Sequence, residues 1–454
     1  MSPAPTLLTA ALRRELGASA RLALPVVAVQ LGMMLMGTVD TTMLGHFSAQ
    51  ALAAAALGHV ISFTLLILAL GILAALDPLI SQAFGAGDAQ AVSDHLQRGL
   101  VLAAALTVPV SLAMFDLRPL LELCGEPPGV VTDATLYTRI LIWGNLPFLL
   151  FVVLRQTLQA MSVVRPALVA IGLGNAINAM ANYALIFGRC GAPALGIRGS
   201  AYATAASRWV MFLWLAFASR RWLALYWRGF TAAAVAGRRH LRLLRIGLPI
   251  GLHQSLELSL FMTVALLMGR LGIATLAGHQ IAINLASLSF MVPLGISGAA
   301  TTRVGNAIGR RDMPAARRTA AVCLALGTGV MALFAAAFGF APRLLAGFYS
   351  SDPQVVGVAA ALLPIAAVFQ VFDGTQVVGA GVLRGSADTS LPAAIALLGF
   401  WLIGLPTGWY LAFAAGAGAR GLWWGITVGL AAVAILFVAR IAVRFRLELT
   451  RVHG

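Results

Sequence analysis

Residues 251–269 read GLHQSLELSLFMTVALLMG and residues 368–381 read VFQVFDGTQVVGAG. Both belong to apolar runs of the length that crosses a bilayer, and each carries one acid near its middle, Glu257 and Asp373. A carboxylate inside a membrane span costs several kcal/mol unless it is paired, hydrated or neutralised, so it marks an ion or substrate pathway. A third acid, Asp40, stands in MMLMGTVDTTMLG at 33–45. The remaining acids are expected near span ends or in loops, which leaves these three as the candidates for coupling chemistry.

Outward from these segments the chain keeps the same character. Of its 454 residues 60% are hydrophobic and 10% charged, the composition of an integral membrane protein. Runs of about 20 apolar residues, each enough for a helix across roughly 30 Å of hydrocarbon, recur along the whole length. Twelve are expected, the first at 22–45, the sixth at 199–219 and the seventh at 246–269, with no room for a soluble domain between them. Arg13, Arg14 and Arg21 precede the first span as they would in an export signal, but the span is too long for one, so it is expected to stay attached.

The formal charge of +16 raises the question of a nucleic-acid partner, and its distribution argues against one. The basic side chains, all arginine, follow the loops instead of gathering on a soluble face. With both termini placed in the cytoplasm, the large majority fall on the inner side, as the positive-inside rule requires. The densest group, Arg220, Arg221, Arg228, Arg238, Arg239, Arg242 and Arg245, lies between spans six and seven. It serves as a topology determinant, with anionic-lipid binding as the alternative role.

The two halves repeat. A shift of 224 positions places Pro25 on Pro249, Gly45 on Gly269, Leu52 on Leu276, Ala53 on Ala277, Gly85 on Gly309 and Asp88 on Asp312, and a shift of 225 places Leu158 on Leu383. The expected fold is therefore all-α: twelve transmembrane helices in two pseudo-symmetric six-helix bundles, 1–219 and 246–454, joined by a basic cytoplasmic linker at 220–245. Two parallel repeats of this kind are a transporter plan, with sites near the repeat interface. The three acids break the symmetry, because Asp40 falls on Val264, Glu257 on Met33, and Asp373 near Phe148.

Helical spacing gives the acids polar company. His253 and Gln254 precede Glu257 by four and three residues, and Gln370 and Gln376 flank Asp373 by three on each side. Span eight adds Gln280, Asn284 and Ser287, and span five adds Asn175, Asn178 and Asn182. Such stripes are expected to face inward, either lining a pathway or joining helices through hydrogen bonds of about 0.6 to 2 kcal/mol. Hard oxygens from Glu257 and Asp373, backed by amide oxygens, suit an alkali cation such as Na⁺, or else protons taken up by the carboxyls. Asp40 lies about five residues from the end of its span, roughly 7 Å of helix rise, where water is expected to reach it.

No cofactor is expected, since no CxxC, HExxH or His/Cys cluster is present. Cys124 and Cys190 fall in outer loops, where an oxidising periplasm would allow them to pair, and Cys323 in span nine; free thiols are the expectation, with the pairing of Cys124 and Cys190 left open. Gly85-Ala86-Gly87-Asp88 matches the GxGD signature of intramembrane aspartyl proteases, whose two aspartates share a proton. Its repeat mate Gly309-Arg310-Arg311-Asp312 keeps only the first glycine and the aspartate, which favours a loop-to-helix turn in both copies.

Seven segments in order, TVDTTMLGHFSAQALAAAALG, LISQAFGAGD, LRQTLQAMSVVRPAL, AINAMANYALIFG, APALGIRGSAYATA, AGHQIAINLASLSFMVPLGISGAATTRVGNAIGRRD and VFDGTQVVGAGVLRGSADTSLP, give the chain a resemblance to the multidrug and toxic compound extrusion (MATE) transporters through nearly its whole length. Glu257 and Asp373 match the seventh-helix glutamate and tenth-helix aspartate of the NorM branch. Asp40 matches the first-helix aspartate, and Asn178 and Asn182 match fifth-helix polar positions. The fifth-helix aspartate of the DinF branch is absent, with Asn182 the nearest polar residue. The resemblance implies a pump, not an enzyme, that exports cationic amphipathic drugs and dyes in exchange for Na⁺ or H⁺, working as a monomer in the bilayer. A lipid-linked precursor flippase of the same broad superfamily is the alternative, for which Arg208 in span six and Arg155 in span four are the basic residues that would speak.

Overall fold

The computed structural model describes residues 5–227 and 237–452, and among these the chain is helical without a strand. Of the expected basic linker, residues 228–236, Arg228 among them, lie outside the described residues, as do the side chains of Arg238 and Arg239.

Twelve long helices follow one another: α1 (Pro5–Phe47), α2 (Ala49–Gly85), α3 (Ala89–Phe115), α4 (Pro128–Ala160), α5 (Arg165–Phe187), α6 (Ile197–Leu223), α7 (Gly237–Arg270), α8 (Ile273–Gly309), α9 (Met313–Phe340), α10 (Pro353–Gly385), α11 (Ser390–Ala414) and α12 (Gly418–Arg444). Short helices Arg118–Leu123 and Pro342–Gly347 lead into α4 and α10. Eleven of the twelve are long and apolar enough to cross a membrane. The exception is α6, whose 27 residues span about 40 Å of rise but include Arg198, Arg208, Arg220 and Arg221.

The chain divides into two compact units. One is Ala28–Gly251; the other joins the segment ending at Val27 to the segment beginning at Leu252. The breaks fall 224 residues apart, the repeat offset, inside α1 and α7 and just past Pro25 and Pro249. The early part of α1, expected as a basic extension ahead of the span, is helix with specific partners in its unit. Glu15 accepts from Arg303 Nη2 (2.6 Å) and Nε (3.1 Å) on α8 and from Thr319 Oγ1 (2.6 Å) on α9. One turn on, the fully buried Ser19 hydroxyl accepts from Cys323 Sγ at 3.7 Å. In the Ala28–Gly251 unit, Gly247 of α7 lies so close to α2 that an added Cβ would stand 2.2 Å from the Ile72 carbonyl oxygen.

The repeat is visible in the backbone even where the residues have changed. Gly87 (φ +71°) and its mate Arg311 (φ +59°) both take the left-handed conformation, and Asp88 and Asp312 then cap α3 and α9, accepting from Ala91 N (2.9 Å) and Ala315 N (3.0 Å). Asp88 is thus a helix cap, as the loop-to-helix reading of the GxGD string expects. Past the ends of α4 and α10, the repeat mates Ser162 (φ 62°) and Ala387 (φ 57°) are likewise left-handed.

Within the Leu252 unit, α10 packs against α8, α9 and α12, which puts Asp373 at its centre. There α11 meets α12 through glycines: a Cβ on Gly425 would stand 2.1 Å from Gly408 Cα, and one on Gly404 3.1 Å from Gly429 Cα. Gly399 and Gly404 are five residues apart, a spacing that the wide turn over Leu397–Gly404 brings onto one face. Small residues let backbones approach where no hydrophobic effect drives helices together.

Candidate functional site

The expected polar residues gather in two clusters, one in each unit. In the Ala28–Gly251 unit Asp40 is the centre, and it is 5% exposed, so it is enclosed by protein where the sequence suggested a partly hydrated group near a span end. The reason is that α5 and α6 close over it. Asn178 Nδ2 (2.9 Å) and Asn182 Nδ2 donate to Oδ1, and Thr204 Oγ1 donates to Oδ2 at 2.7 Å. Asn182 also donates to Asn178 Oδ1 (3.2 Å), and Asn178 to the Thr204 hydroxyl (3.4 Å). Three neutral donors hold the carboxyl group, and Arg208 acts on it only through its field. A proton arriving at Asp40 would need an acceptor, and Asn182 Oδ1, buried without a partner, becomes one if the amide turns over.

The asparagine stripe therefore divides. Asn178 and Asn182 hold the acid, whereas the half-buried Asn175 donates to the Gly32 (2.9 Å) and Ile171 (2.9 Å) carbonyls and joins α5 to α1. Thr204 was not singled out in the sequence, although it lies four residues before Arg208 on the least apolar span, the spacing that puts both on one helix face. A fourth acid within the spans was also missed. Asp77, expected just past span two, is 6% exposed because the helix resumes over Leu76–Gly85, and it lies in the field of Arg155.

In the Leu252 unit, Asp373 is 2% exposed and Gln370 and Gln376 are fully buried on either side of it. Gln370 Nε2 donates to Ser289 Oγ, and Gln376 Nε2 donates to His253 Nε2 (3.1 Å). His253 is stacked on Phe400 and edge-on to Phe437. These bonds use the amide nitrogens and leave Gln370 Oε1 and Gln376 Oε1 buried with no partner. Glu257, partly exposed on α7, lies within reach of Gln376, and close enough to Asp373 for the two charges to repel. Two carboxylates and two unclaimed amide oxygens are hard donors of the kind that bind a small cation. Among the described residues no group of three or more His, Cys, Asp or Glu offers a transition-metal cage.

Besides Asn175, three expected residues stand outside these clusters. Gln280 and Asn284 on α8 are exposed, and Gln254 is half-buried, so the polar face of α8 does not join the buried oxygens around Asp373. Its neighbour His279, unremarked in the sequence, is 1% exposed and packs edge-on to Trp423. Cys124 and Cys190 are exposed free thiols and Cys323 is buried.

Comparison with known proteins places this geometry. The chain is 41% identical over 433 residues to the multidrug resistance protein NorM of Burkholderia vietnamiensis, covering 93% of this chain and 92% of that one. It is 36% identical to the multidrug resistance protein MdtK of Edwardsiella ictaluri, covering 94% and 95%. Its fold resembles the crystal structure of the eukaryotic MATE transporter AtDTX14 (TM-score 0.88, 24% identity, 95% and 96% covered) and that of the Vibrio cholerae MATE transporter VcmN in the bent form (0.86, 20%, 96% and 98%). The MatE family model matches residues 25–184 and again 249–410, starting at the repeat-related Pro25 and Pro249. The chain therefore belongs to the MatE family, and it is a multi-pass membrane transporter, not an enzyme.

Proposed function

We propose that the protein is a secondary active antiporter that exports cationic amphipathic drugs and dyes in exchange for Na⁺ or H⁺ by alternating access. It works as a monomer in a bacterial inner membrane, with both termini cytoplasmic. The observation that carries this reading is the pair Glu257 and Asp373, two acids without a cationic partner among the described residues, set beside buried amide oxygens inside apolar helices. Gluing helices needs no charge, whereas coupling does. Glu257 and Asp373, with Gln370 Oε1 and Gln376 Oε1, are the groups that would take the coupling cation. Asp40 serves a proton- or substrate-linked step in its own unit, with the Asn182 amide alternating between donor and acceptor. The multidrug-resistance relatives support the drug class. The flippase reading calls for basic groups free to meet a phosphate, and Arg155 lies in the field of Asp77 and Arg208 in that of Asp40.

The test is ethidium efflux from proteoliposomes, driven separately by a Na⁺ gradient and by a pH gradient. Movement against the dye gradient with at least one of the two is expected, and that result also identifies the coupling ion. No uphill movement with either gradient overturns the proposal.

A further inference from the structure

Two glutamines flank Asp373 on one face of α10, and the groups that hold them decide which end of each amide faces the acids. Gln370 and Gln376 lie three residues to either side of Asp373, and both are fully buried. The two ends of an amide differ in chemistry and hardly at all in shape, so its orientation is set by its partners.

For Gln370 the partner is the buried Ser289 of α8. The Ser289 hydroxyl donates to the Ala286 carbonyl of its own helix at 2.8 Å. Its one proton is thereby used and its oxygen can only accept, so Gln370 must turn its nitrogen to Ser289 and its oxygen away. For Gln376 the partner is His253 of α7, at 3.1 Å. Gln376 also lies within hydrogen-bonding reach of Glu257, one turn along α7 from His253. A carboxylate accepts, and the amide nitrogen with its two hydrogens serves both neighbours when His253 Nε2 accepts as well, as a neutral imidazole does with its proton on Nδ1. The ring is held for this role, stacked on Phe400 (6.4 Å between centroids, 8° between planes) and edge-on to Phe437 (5.8 Å, 72°), both deeply buried.

Different chemistry at the two anchors thus has one result. Each amide nitrogen is drawn to a neighbouring helix, and Gln370 Oε1 and Gln376 Oε1 are left buried with no partner. Joining helices does not require this, because an unmatched buried carbonyl oxygen destabilises the fold. Two such oxygens beside two acids fit a ligand that brings positive charge. A proton needs only the carboxyls, whereas an alkali cation that sheds water needs several hard oxygens around it.

We propose that His253 and Ser289 are positioning residues that make the coupling site fit for Na⁺: by anchoring the nitrogens of Gln376 and Gln370 they keep both carbonyl oxygens turned to a cation held by Glu257 and Asp373. This deepens the efflux reading and rests on it, naming residues outside the ligand set that prepare the ligands. Without its anchor an amide is free to turn over and present N–H groups to the cation, so Na⁺ affinity falls although every ligand residue remains.

The experiment measures binding of radioactive sodium to the detergent-solubilised protein, together with ethidium efflux from proteoliposomes driven by Na⁺ over a range of concentrations, for the wild type, His253→Phe and Ser289→Ala. His253→Phe keeps a ring between Phe400 and Phe437 and removes the acceptor. Ser289→Ala removes one hydroxyl and keeps the test open if the ring variant does not fold. Each should weaken Na⁺ binding about five- to tenfold and raise the half-saturating Na⁺ concentration by the same factor, with the efflux rate at saturating Na⁺ within about twofold of wild type. Unchanged Na⁺ affinity in either variant overturns the proposal. So does a maximal rate that falls as far as the affinity, which is the mark of a structural role. Wild-type protein that binds no Na⁺ and drives efflux with a pH gradient alone overturns this proposal and leaves the efflux reading standing, whereas no efflux with either gradient overturns both.

Discussion

Thr204 Oγ1 donates to Asp40 Oδ2 at 2.7 Å, on the carboxylate oxygen that neither asparagine reaches. Asp40 therefore depends on α6 for one oxygen and on α5 for the other. A hydrogen bond to a charged group contributes about 1.5–3 kcal/mol, so Thr204→Val should slow Asp40-dependent efflux by roughly ten- to a hundredfold. Thr204→Ser, which keeps the hydroxyl, should remain within a fewfold of wild type. Equal activity in the valine and serine variants would remove this bond from the mechanism.

Asp40 and the pair Glu257–Asp373 belong to different compact units. Asp40→Asn should accordingly lower transport while leaving binding of radioactive sodium, measured on the detergent-solubilised protein, close to the wild-type value. Loss of cation binding together with transport would mean that one site draws on all three acids.

How far the sequence discloses this arrangement follows from the physics of each residue. Glu257, Asp373 and Asp40 stand out because charge in hydrocarbon is costly wherever it occurs. The repeat is legible because it rests on glycines, prolines and helix caps such as Asp88 and Asp312, whose backbone roles are local. Thr204, Ser289 and the burial of Asp77 are not legible, since a hydroxyl in a span is unremarkable until the helix opposite is known. The exposure of Gln280 and Asn284 shows the converse, for a polar stripe fixes a helix face without naming what that face meets. Nor does composition reveal that the early part of α1, from Glu15 to Ser19, is tied to α8 and α9.

The glycine contact between α11 and α12 should be intolerant of volume. A Cβ on Gly425 would stand 2.1 Å from Gly408 Cα, backbone that cannot rotate away, so Gly425→Ala should destabilise the protein by about 1–3 kcal/mol. Gly172 of α5 has nothing within 4 Å of such a Cβ, and Gly172→Ala should be neutral or slightly stabilising. Thermal unfolding in detergent distinguishes them, and an unchanged transition for Gly425→Ala would show that the two helices separate without cost.

Arg311 adopts the φ of +59° that its repeat mate Gly87 adopts at +71°. Left-handed backbone costs an L-residue about 1–2 kcal/mol that glycine avoids. Gly87→Ala should therefore lower stability by about 1 kcal/mol, and Arg311→Gly should raise it by up to about the same amount. The check is the pair of unfolding midpoints, and shifts of the same sign would contradict a shared turn.

The central claim is that Glu257 and Asp373 are the coupling groups, and ion-driven ethidium efflux from proteoliposomes reads it most directly. Glu257→Gln and Asp373→Asn preserve shape and remove charge. Each variant should fold and lose gradient-driven efflux, and the double variant should be no worse than the worse single one, because groups sharing a site are not additive. Full efflux in either single variant, with protein as stable as wild type, would contradict the account.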